Sequence, residues 1–239
     1  VSFSYPGSER KALDNVSLSI ASGETVAIVG ANGSGKTTLS KLLCGLYTPD
    51  EGSITIGGAD SSCTSPEKLY AKTSAVFQDY MRYGGLTLRE NVEISDILHK
   101  KDAETFMKQT GCSESLLESD KMDSLMGREF DGLELSGGQW QRIAMARGLY
   151  RDSNFILLDE PTAAIDPLEE SRIYKMFASV AKDKTCVLVT HRLGSARIAD
   201  RIIVMDAGHI VETGTHEELL QKKGLYHEMW TSAAEQYVC

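Results

Sequence analysis

The chain has 239 residues, of which 41% are hydrophobic, so it is long enough to bury the core of one ordinary domain. Collagen-like, coiled-coil and wholly disordered chains are excluded by this composition. Because 34 acidic residues outnumber 25 basic ones and leave a formal net charge of −9, no nucleic-acid partner is expected. The sequence also lacks the uninterrupted apolar run of roughly 18 residues that a membrane-spanning helix requires.

The cysteines are odd in number and widely spaced, which predicts neither a disulfide framework nor a zinc site. They are Cys44, Cys63, Cys112, Cys186 and Cys239. Free thiols of this kind favour a reducing, cytosolic setting. The chain begins at Val1, inside an apparent strand and with no signal segment before it. We therefore expect a fragment of a longer protein, and we expect the fragment itself to be soluble.

Apolar and polar residues alternate at residues 1–5 and 16–20, which predicts half-buried strands near the N-terminus. Residues 25–29 are apolar on both faces, as in a strand inside a parallel sheet. Three later segments have a similar apolar character, namely residues 155–158, 186–190 and 201–205. Helical stretches separate these strands, so the sequence predicts an α/β fold with a parallel core.

Helical segments broken by glycines replace strands between residues 79 and 151. We predict one domain over residues 1–239, with its core at residues 1–78 and 152–239 and an inserted helical subdomain at about 79–151. Near the C-terminus, Thr215 and Glu218 have the spacing of a helix capping box.

A glycine-rich segment follows the predicted strand at residues 25–29. Residues 30–37 fit the phosphate-binding pattern G-x-x-x-x-G-K-[ST] and open a helix. Lys36 can reach the β and γ phosphates, and the Thr37 hydroxyl can ligate Mg²⁺. A glycine turn without a ligand is the alternative, and the loop alone does not separate transporters, GTPases, kinases and helicases. The residues assigned to nucleotide binding are Asn32, Gly33, Ser34, Gly35, Lys36, Thr37 and Thr38.

Two adjacent carboxylates, Asp159 and Glu160, end the strand at residues 155–158. Ligands of parallel sheets bind at the carboxyl ends of the strands. Asp159 suits contact with Mg²⁺, and Glu160 suits polarising an attacking water. A pair of solvated carboxylates is the alternative, but a neighbouring phosphate loop favours the functional interpretation.

Residues 135–139 read Leu-Ser-Gly-Gly-Gln and precede an apolar helical segment, which makes a second helix N-terminus suited to an anion. Together with the phosphate loop, this pentapeptide resembles the signature motif of ABC (ATP-binding cassette) ATPases. The resemblance covers nearly the whole chain. It implies a P-loop NTPase (RecA-like) parallel-sheet core with an N-terminal antiparallel β subdomain and an inserted α-helical subdomain.

The family resemblance also implies ATP hydrolysis with Mg²⁺ and a head-to-tail dimer of two copies. The signature residues Ser136, Gly137, Gly138 and Gln139 of one copy would contact the γ-phosphate of ATP held by the other copy. Lys36, Gln78, Glu160 and His191 would be catalytic, and Thr37, Gln78 and Asp159 would hold the metal.

Further positions match family roles, each beside a structural alternative. Tyr5 matches the aromatic residue that stacks on adenine, although such a residue also suits a core. Gln78 matches the residue that reaches Mg²⁺ and the attacking water, and His191 matches the one that contacts the γ-phosphate, although a histidine at a strand end is often structural. Asp166 matches a residue at the dimer interface and also suits a helix N-cap. The loop before it has Ala163 where the family usually has serine.

Residues 87–92 and 214–220 resemble exporters within this family, and residues 124–129 match an exporter loop in part. These segments imply an exporter ATPase at the cytoplasmic face of a cell membrane, with a transmembrane domain before Val1 in the same longer chain. A separate importer subunit and a non-transport ABC ATPase are the alternatives. Residues 139–142 and 160–166 resemble bacterial exporters of peptides, including modified antimicrobial peptides.

Overall fold

The computed structural model describes residues 1–161, 172, 173, 176 and 184–235. The described residues form two compact units. The first contains residues 1–73, 154–160 and 184–235, and the second contains residues 74–153 with 161, 172, 173 and 176. The second unit includes all of the predicted insertion at residues 79–151, whose status as a separate subdomain stays a prediction.

The described residues contain both strands and helices. The strands are β1 (Thr25–Gly30), β2 (Thr55–Ile56), β3 (Ala59–Asp60), β4 (Thr73–Val76), β5 (Phe155–Asp159), β6 (Thr185–Val189), β7 (Arg201–Asp206) and β8 (His209–Gly214). The helices are α1 (Lys36–Leu43), α2 (Pro66–Tyr70), α3 (Leu88–Glu93), α4 (Ala103–Gln109), α5 (Ser119–Met122), α6 (Gly137–Tyr150), α7 (Leu193–Ala196), α8 (His216–Lys222) and α9 (Leu225–Glu235). Short 3-10 turns occur at Glu114–Leu116 and Arg128–Phe130.

The first unit is built on a mostly parallel sheet. Its strands lie in the order β5-β6-β1-β7-β8, with β1 parallel to both neighbours and β8 antiparallel to β7. Ile28 in β1 lies opposite Val189 of β6 and Ile203 of β7. This pairing brings the carboxyl ends of β1, β5 and β6 to one edge of the sheet. The predicted α/β class with a parallel core is confirmed.

Helices α7, α8 and α9 cover one face of this sheet. Strands β1 and β7 are buried along most of their length, as strands of a parallel sheet with covered faces are. The buried cluster there contains Ala27, Val29, Leu193, Ala196, Ile202, Val204, Leu219 and Tyr226. Burial of each large aliphatic or aromatic side chain of this kind contributes about 1.5–3 kcal/mol. The predicted capping box is present at α8, where the Thr215 side chain accepts from the Glu218 N–H.

Antiparallel pairing in the first 60 residues is sparse. It consists of single bridges between Ser2 and Glu51 and between Phe3 and Leu13, together with the two-residue hairpin of β2 and β3. The alternating segment at residues 16–20 forms no strand. Asn15 has a φ of +50°, in the left-handed region, and this residue interrupts the extended chain after Leu13.

The second unit is organised around α6, which packs against α3 and α4. Buried side chains from these helices and the loops between them form one apolar cluster that includes Leu88, Met107, Met126, Ile143 and Tyr150. Within the part of the chain that the structure describes, no helix is long and apolar enough to cross a bilayer.

Candidate nucleotide-binding site

The phosphate loop joins β1 to α1 in the first unit. Gly35 precedes α1 with a φ of +103°, and it provides no side-chain cap for the helix. The first turn of α1 also contains no acidic residue. The first N–H groups of a helix have no partner within the helix, and they carry partial positive charge. This helix start is therefore suited to hold a phosphate group.

Two glycines of the loop have different surroundings: Gly30 is closely packed, and Gly33 faces open space. A Cβ on Gly30 would lie 2.2 Å from the Met205 carbonyl oxygen and 2.7 Å from Ser34 Oγ. A Cβ on Gly33 would meet no atom within 4 Å. Ser34 is 2% exposed, and its Oγ has no hydrogen-bond partner among the described residues. Because an unpaired buried hydroxyl is unfavourable, Ser34 fits a loop whose missing acceptor is a ligand oxygen.

Lys36 is the buried cation of this loop, with 7% exposure. Its Nζ donates to the carbonyl oxygens of Gly30, at 2.8 Å, and Ala31, at 2.9 Å. Burial lowers the pKa of the Lys36 ammonium, and the charges of Glu160 and Asp159 oppose this shift. An ammonium group has three N–H donors, so Lys36 can hold its loop and still offer one donor to a phosphate oxygen.

Asp159 ends β5 and is 2% exposed. Burial raises the pKa of its carboxyl to about 6, against a hydrogen bond from Thr37 that lowers it. Glu160 raises the pKa further, and the positive charges of Lys36 and Lys41 lower it. The oxygens of a carboxylate and a hydroxyl are the donors that Mg²⁺ prefers, so the Asp159 and Thr37 side chains fit this ion.

The high pKa of Asp159 makes stability depend on pH. Between about pH 4 and 6 the folded chain binds this proton and the unfolded chain does not, so stability falls as pH rises through that window. Asp159→Asn removes the buried charge. We expect it to raise the free energy of unfolding of the nucleotide-free chain at pH 7.5 by on the order of 1–3 kcal/mol, with no gain at pH 4.

Urea denaturation at a series of pH values measures this difference. Asp206→Asn is the matched control, because Asp206 is an exposed carboxylate at the end of β7. A stability difference for Asp159→Asn that is the same at pH 4 and pH 7.5 would contradict the expectation.

Glu160 and His191 lie together beyond the ends of β5 and β6. Glu160 has a φ of +51°, which is uncommon for a residue with a side chain, and its N–H donates to the Val189 carbonyl oxygen at 2.9 Å. Its Oε1 lies 3.0 Å from His191 Nδ1. The Glu160 side chain is 15% exposed and that of His191 is 49% exposed. A carboxylate thus lies at the sheet edge with a more open imidazole beside it.

Tyr5 lies next to α1, where its hydroxyl is 3.2 Å from Thr38 Oγ1. Two neighbours of this region were absent from the sequence-based site. The positive charge of Lys41 lowers the pKa of Asp159, and the Tyr47 ring packs on Tyr5. The signal for Lys41 is its position four residues after Thr37, which places both on one face of α1.

The four signature residues lie at the N-terminus of α6, in the second unit. The Ser136 side chain accepts from the Gln139 N–H at 3.2 Å, and the Gln139 side chain accepts from the Ser136 N–H at 2.8 Å. This is a capping box. Ser136 is exposed, and a Cβ on Gly137 would meet no atom within 4 Å. The start of α6 is therefore open on one side.

The structure does not place every predicted residue in one site. The first unit brings together Lys36, Thr37, Asp159, Glu160 and His191. Gln78 is exposed after β4 in the second unit. Asp166 and Ala163 lie outside the described residues.

The structure describes four of the five cysteines. Cys44, Cys63, Cys112 and Cys186 are free, and Cys239 lies outside the described residues. Across the described residues, no three His, Cys, Asp or Glu side chains are grouped to hold a metal ion.

Comparisons with family models, with curated proteins and with solved structures agree on one family. A family model described as ABC transporter matches residues 13–163. The chain is 43% identical over 234 residues to the subtilin transport ATP-binding protein SpaT of Bacillus subtilis, which covers 96% of this chain and 38% of that protein. It is 39% identical to the nisin transport ATP-binding protein NisT of Lactococcus lactis subsp. lactis, over 99% of this chain and 40% of that protein.

Two further similarities are to a flippase and to a solved exporter structure. An ATP-dependent lipid A-core flippase of Thiobacillus denitrificans is 37% identical over 96% of this chain and 40% of its own length. A solved structure of a bacterial Atm1-family ABC exporter with ATP bound matches with a TM-score of 0.89 and 34% identity, over 98% of this chain and 41% of that one. The chain thus spans about two fifths of the length of these relatives. It belongs to the ABC transporter family, as an ATP-binding domain of the exporter type that hydrolyses ATP.

Proposed function

We propose that this chain is the motor domain of an exporter whose transmembrane domain precedes it in a longer protein, at the cytoplasmic face of a cell membrane. The observation that carries the proposal is the grouping of Lys36, Asp159, Glu160 and His191 around an uncapped helix start. The similarity to exporter proteins over at least 95% of this chain supports it. That similarity also disfavours an importer subunit and a non-transport ABC ATPase.

ATP binds with its phosphates at the N-terminus of α1, where Lys36 and the loop N–H groups offset their charge. Thr37 and Asp159 would hold Mg²⁺, which would supply positive charge near the phosphates. The family resemblance alone assigns Gln78 to the same role. Glu160 accepts the proton of the attacking water. His191, anchored by Glu160, contacts the γ-phosphate. Tyr5 stacks on adenine.

The second anion-binding helix start suggests a second copy of the chain. One bound ATP does not require the N-termini of both α1 and α6 from the same monomer. The N-terminus of α6 is exposed at Ser136, so it can contact another molecule. In a head-to-tail dimer, Ser136, Gly137, Gly138 and Gln139 of one copy meet the γ-phosphate on the other. We also assign Asp166 to this interface, on the family resemblance alone. ATP then favours the closed dimer, and hydrolysis lets the two copies part.

Dilution tests this proposal directly. If each active site needs two copies, ATP hydrolysis per chain should rise with protein concentration, and light scattering with ATP and Mg²⁺ should show dimers under the same conditions. ADP should give mainly monomers. Hydrolysis per chain that stays constant across the dilution series, with only monomers in the light scattering, would show that one chain is sufficient.

We further propose that the cargo of the longer protein is a bacterial peptide. The support is that the subtilin and nisin transport proteins are 43% and 39% identical to this chain, against 37% for the lipid A-core flippase. ATPase activity of the longer protein in vesicles, measured with added peptides or with added lipids, distinguishes the two cargoes. Stimulation by lipid alone would contradict the peptide assignment.

A further inference from the structure

Tyr5 belongs to a small aromatic cluster, defined here as Phe3, Tyr5 and Tyr47. The Tyr5 and Tyr47 ring centroids are 5.8 Å apart, with an angle of 86° between the rings. Phe3 packs on Tyr5 at 5.2 Å and 82°, and on Tyr47 at 5.3 Å and 43°. Edge-to-face contacts of this geometry are attractive beyond the area that they bury. The Tyr5 ring is therefore in contact with both other rings of the cluster.

Two polar contacts connect this cluster to α1. The Tyr5 hydroxyl lies 3.2 Å from Thr38 Oγ1, one residue beyond the phosphate loop. The Lys41 ammonium lies 6.0 Å from the Tyr5 ring centroid and 5.9 Å from that of Tyr47. Such cation–π contacts favour a fixed arrangement of cation and ring. The position of the Tyr5 ring is thus set relative to the loop that holds the phosphates.

The exposure of the cluster differs among its members. Phe3 is 4% exposed and belongs to the core, whereas Tyr47 is 37% exposed. The partly exposed Tyr47 ring nevertheless contacts Tyr5 and Phe3, and the Lys41 ammonium lies 5.9 Å from its centroid. We propose that Tyr47, together with Lys41, is a positioning residue that holds the Tyr5 ring in the orientation required to stack on the nucleotide base. This rests on the proposed function, in which Tyr5 stacks on adenine.

The proposal predicts a loss that depends on the base. Tyr47→Leu keeps an apolar side chain but removes the ring, and it should raise the Kd for ATP about threefold to tenfold because an edge-to-face pair is lost. The Kd for inorganic tripolyphosphate, which has no base, should be unchanged. Tyr47→Phe retains the ring and should bind ATP as the unsubstituted chain does. Calorimetric titration of the 239-residue chain measures these constants.

Tyr5→Ala is the reference variant, since loss of a stacking ring should weaken ATP binding on the order of tenfold and spare tripolyphosphate. If Tyr5→Ala weakens ATP selectively and Tyr47→Leu affects neither ligand, the positioning role is wrong and the base site stands. Equal weakening of both ligands by Tyr47→Leu would indicate general structural damage and would also overturn the role. If Tyr5→Ala spares ATP, the base does not stack on Tyr5, and both the adenine assignment and this inference fail.

Discussion

Glu160→Gln should lower the rate of ATP hydrolysis by a factor of about 10²–10⁴ while leaving ATP binding intact. Glutamine has nearly the same shape and can still contact His191, which lies 3.0 Å from the Glu160 carboxylate. Its amide cannot accept a proton from the attacking water. The substitution also removes a negative charge beside Asp159, which favours retention of the ATP phosphates.

Phosphate release and size-exclusion chromatography with ATP and Mg²⁺ check this expectation. The variant should accumulate as an ATP-bound dimer, because hydrolysis no longer lets the copies part. Glu9→Gln is the matched control, since it makes the same change at an exposed glutamate that is not assigned to the site. Rapid hydrolysis by a Glu160→Gln chain that stays monomeric would exclude Glu160 as the proton acceptor.

Ser136→Ala should lower ATP hydrolysis by about 10² while leaving the ATP affinity of the monomer unchanged. The hydroxyl is exposed and lies at the start of α6, where the proposed dimer brings it to the γ-phosphate. The substitution also removes a helix cap, which costs about 0.5–2 kcal/mol of stability. Thr215→Ala is therefore the matched control, because Thr215 forms the same type of capping box at α8.

Mixing two variants tests whether the signature acts on the other copy. Lys36→Ala disables the phosphate loop and Ser136→Ala disables the signature, so each variant alone should be nearly inactive. A mixed head-to-tail dimer contains one site in which neither residue is changed. Hydrolysis should therefore recover on mixing. Additive, unrecovered rates, or a lower ATP affinity of the dilute Ser136→Ala chain, would contradict action in trans.

The parts of the site that depend on local sequence could be predicted. The strand at residues 25–29 is a continuous apolar run, and the spacing of Gly30, Lys36 and Thr37 defines the loop that follows it. The Thr215 and Glu218 capping box is equally local. In each case the pattern and the structure that it specifies lie within a few residues of each other.

Other features depend on residues that are distant in the chain. The positive φ of Glu160 follows from the end of β5 and its hydrogen bond to Val189, and the sequence around Glu160 gives no sign of it. The contact of Tyr5 with Tyr47 joins residues separated by the whole phosphate loop. The capping box of α6 is local and could have been predicted, because Ser136 and Gln139 have the required spacing. The family resemblance assigned Gln139 to nucleotide binding instead.

The carbonyl partners of Lys36 bear on how the site receives a nucleotide. Among the described residues, no carboxylate lies within ion-pair distance of Lys36, whose ammonium is instead satisfied by its own loop at Gly30 and Ala31. Had Lys36 paired with Asp159 or Glu160, each entering nucleotide would first have to separate two buried opposite charges. Here the ammonium can keep both carbonyl acceptors and offer its third N–H donor to a phosphate oxygen. The loop thus holds the cation in place without a buried ion pair that an entering nucleotide would have to break.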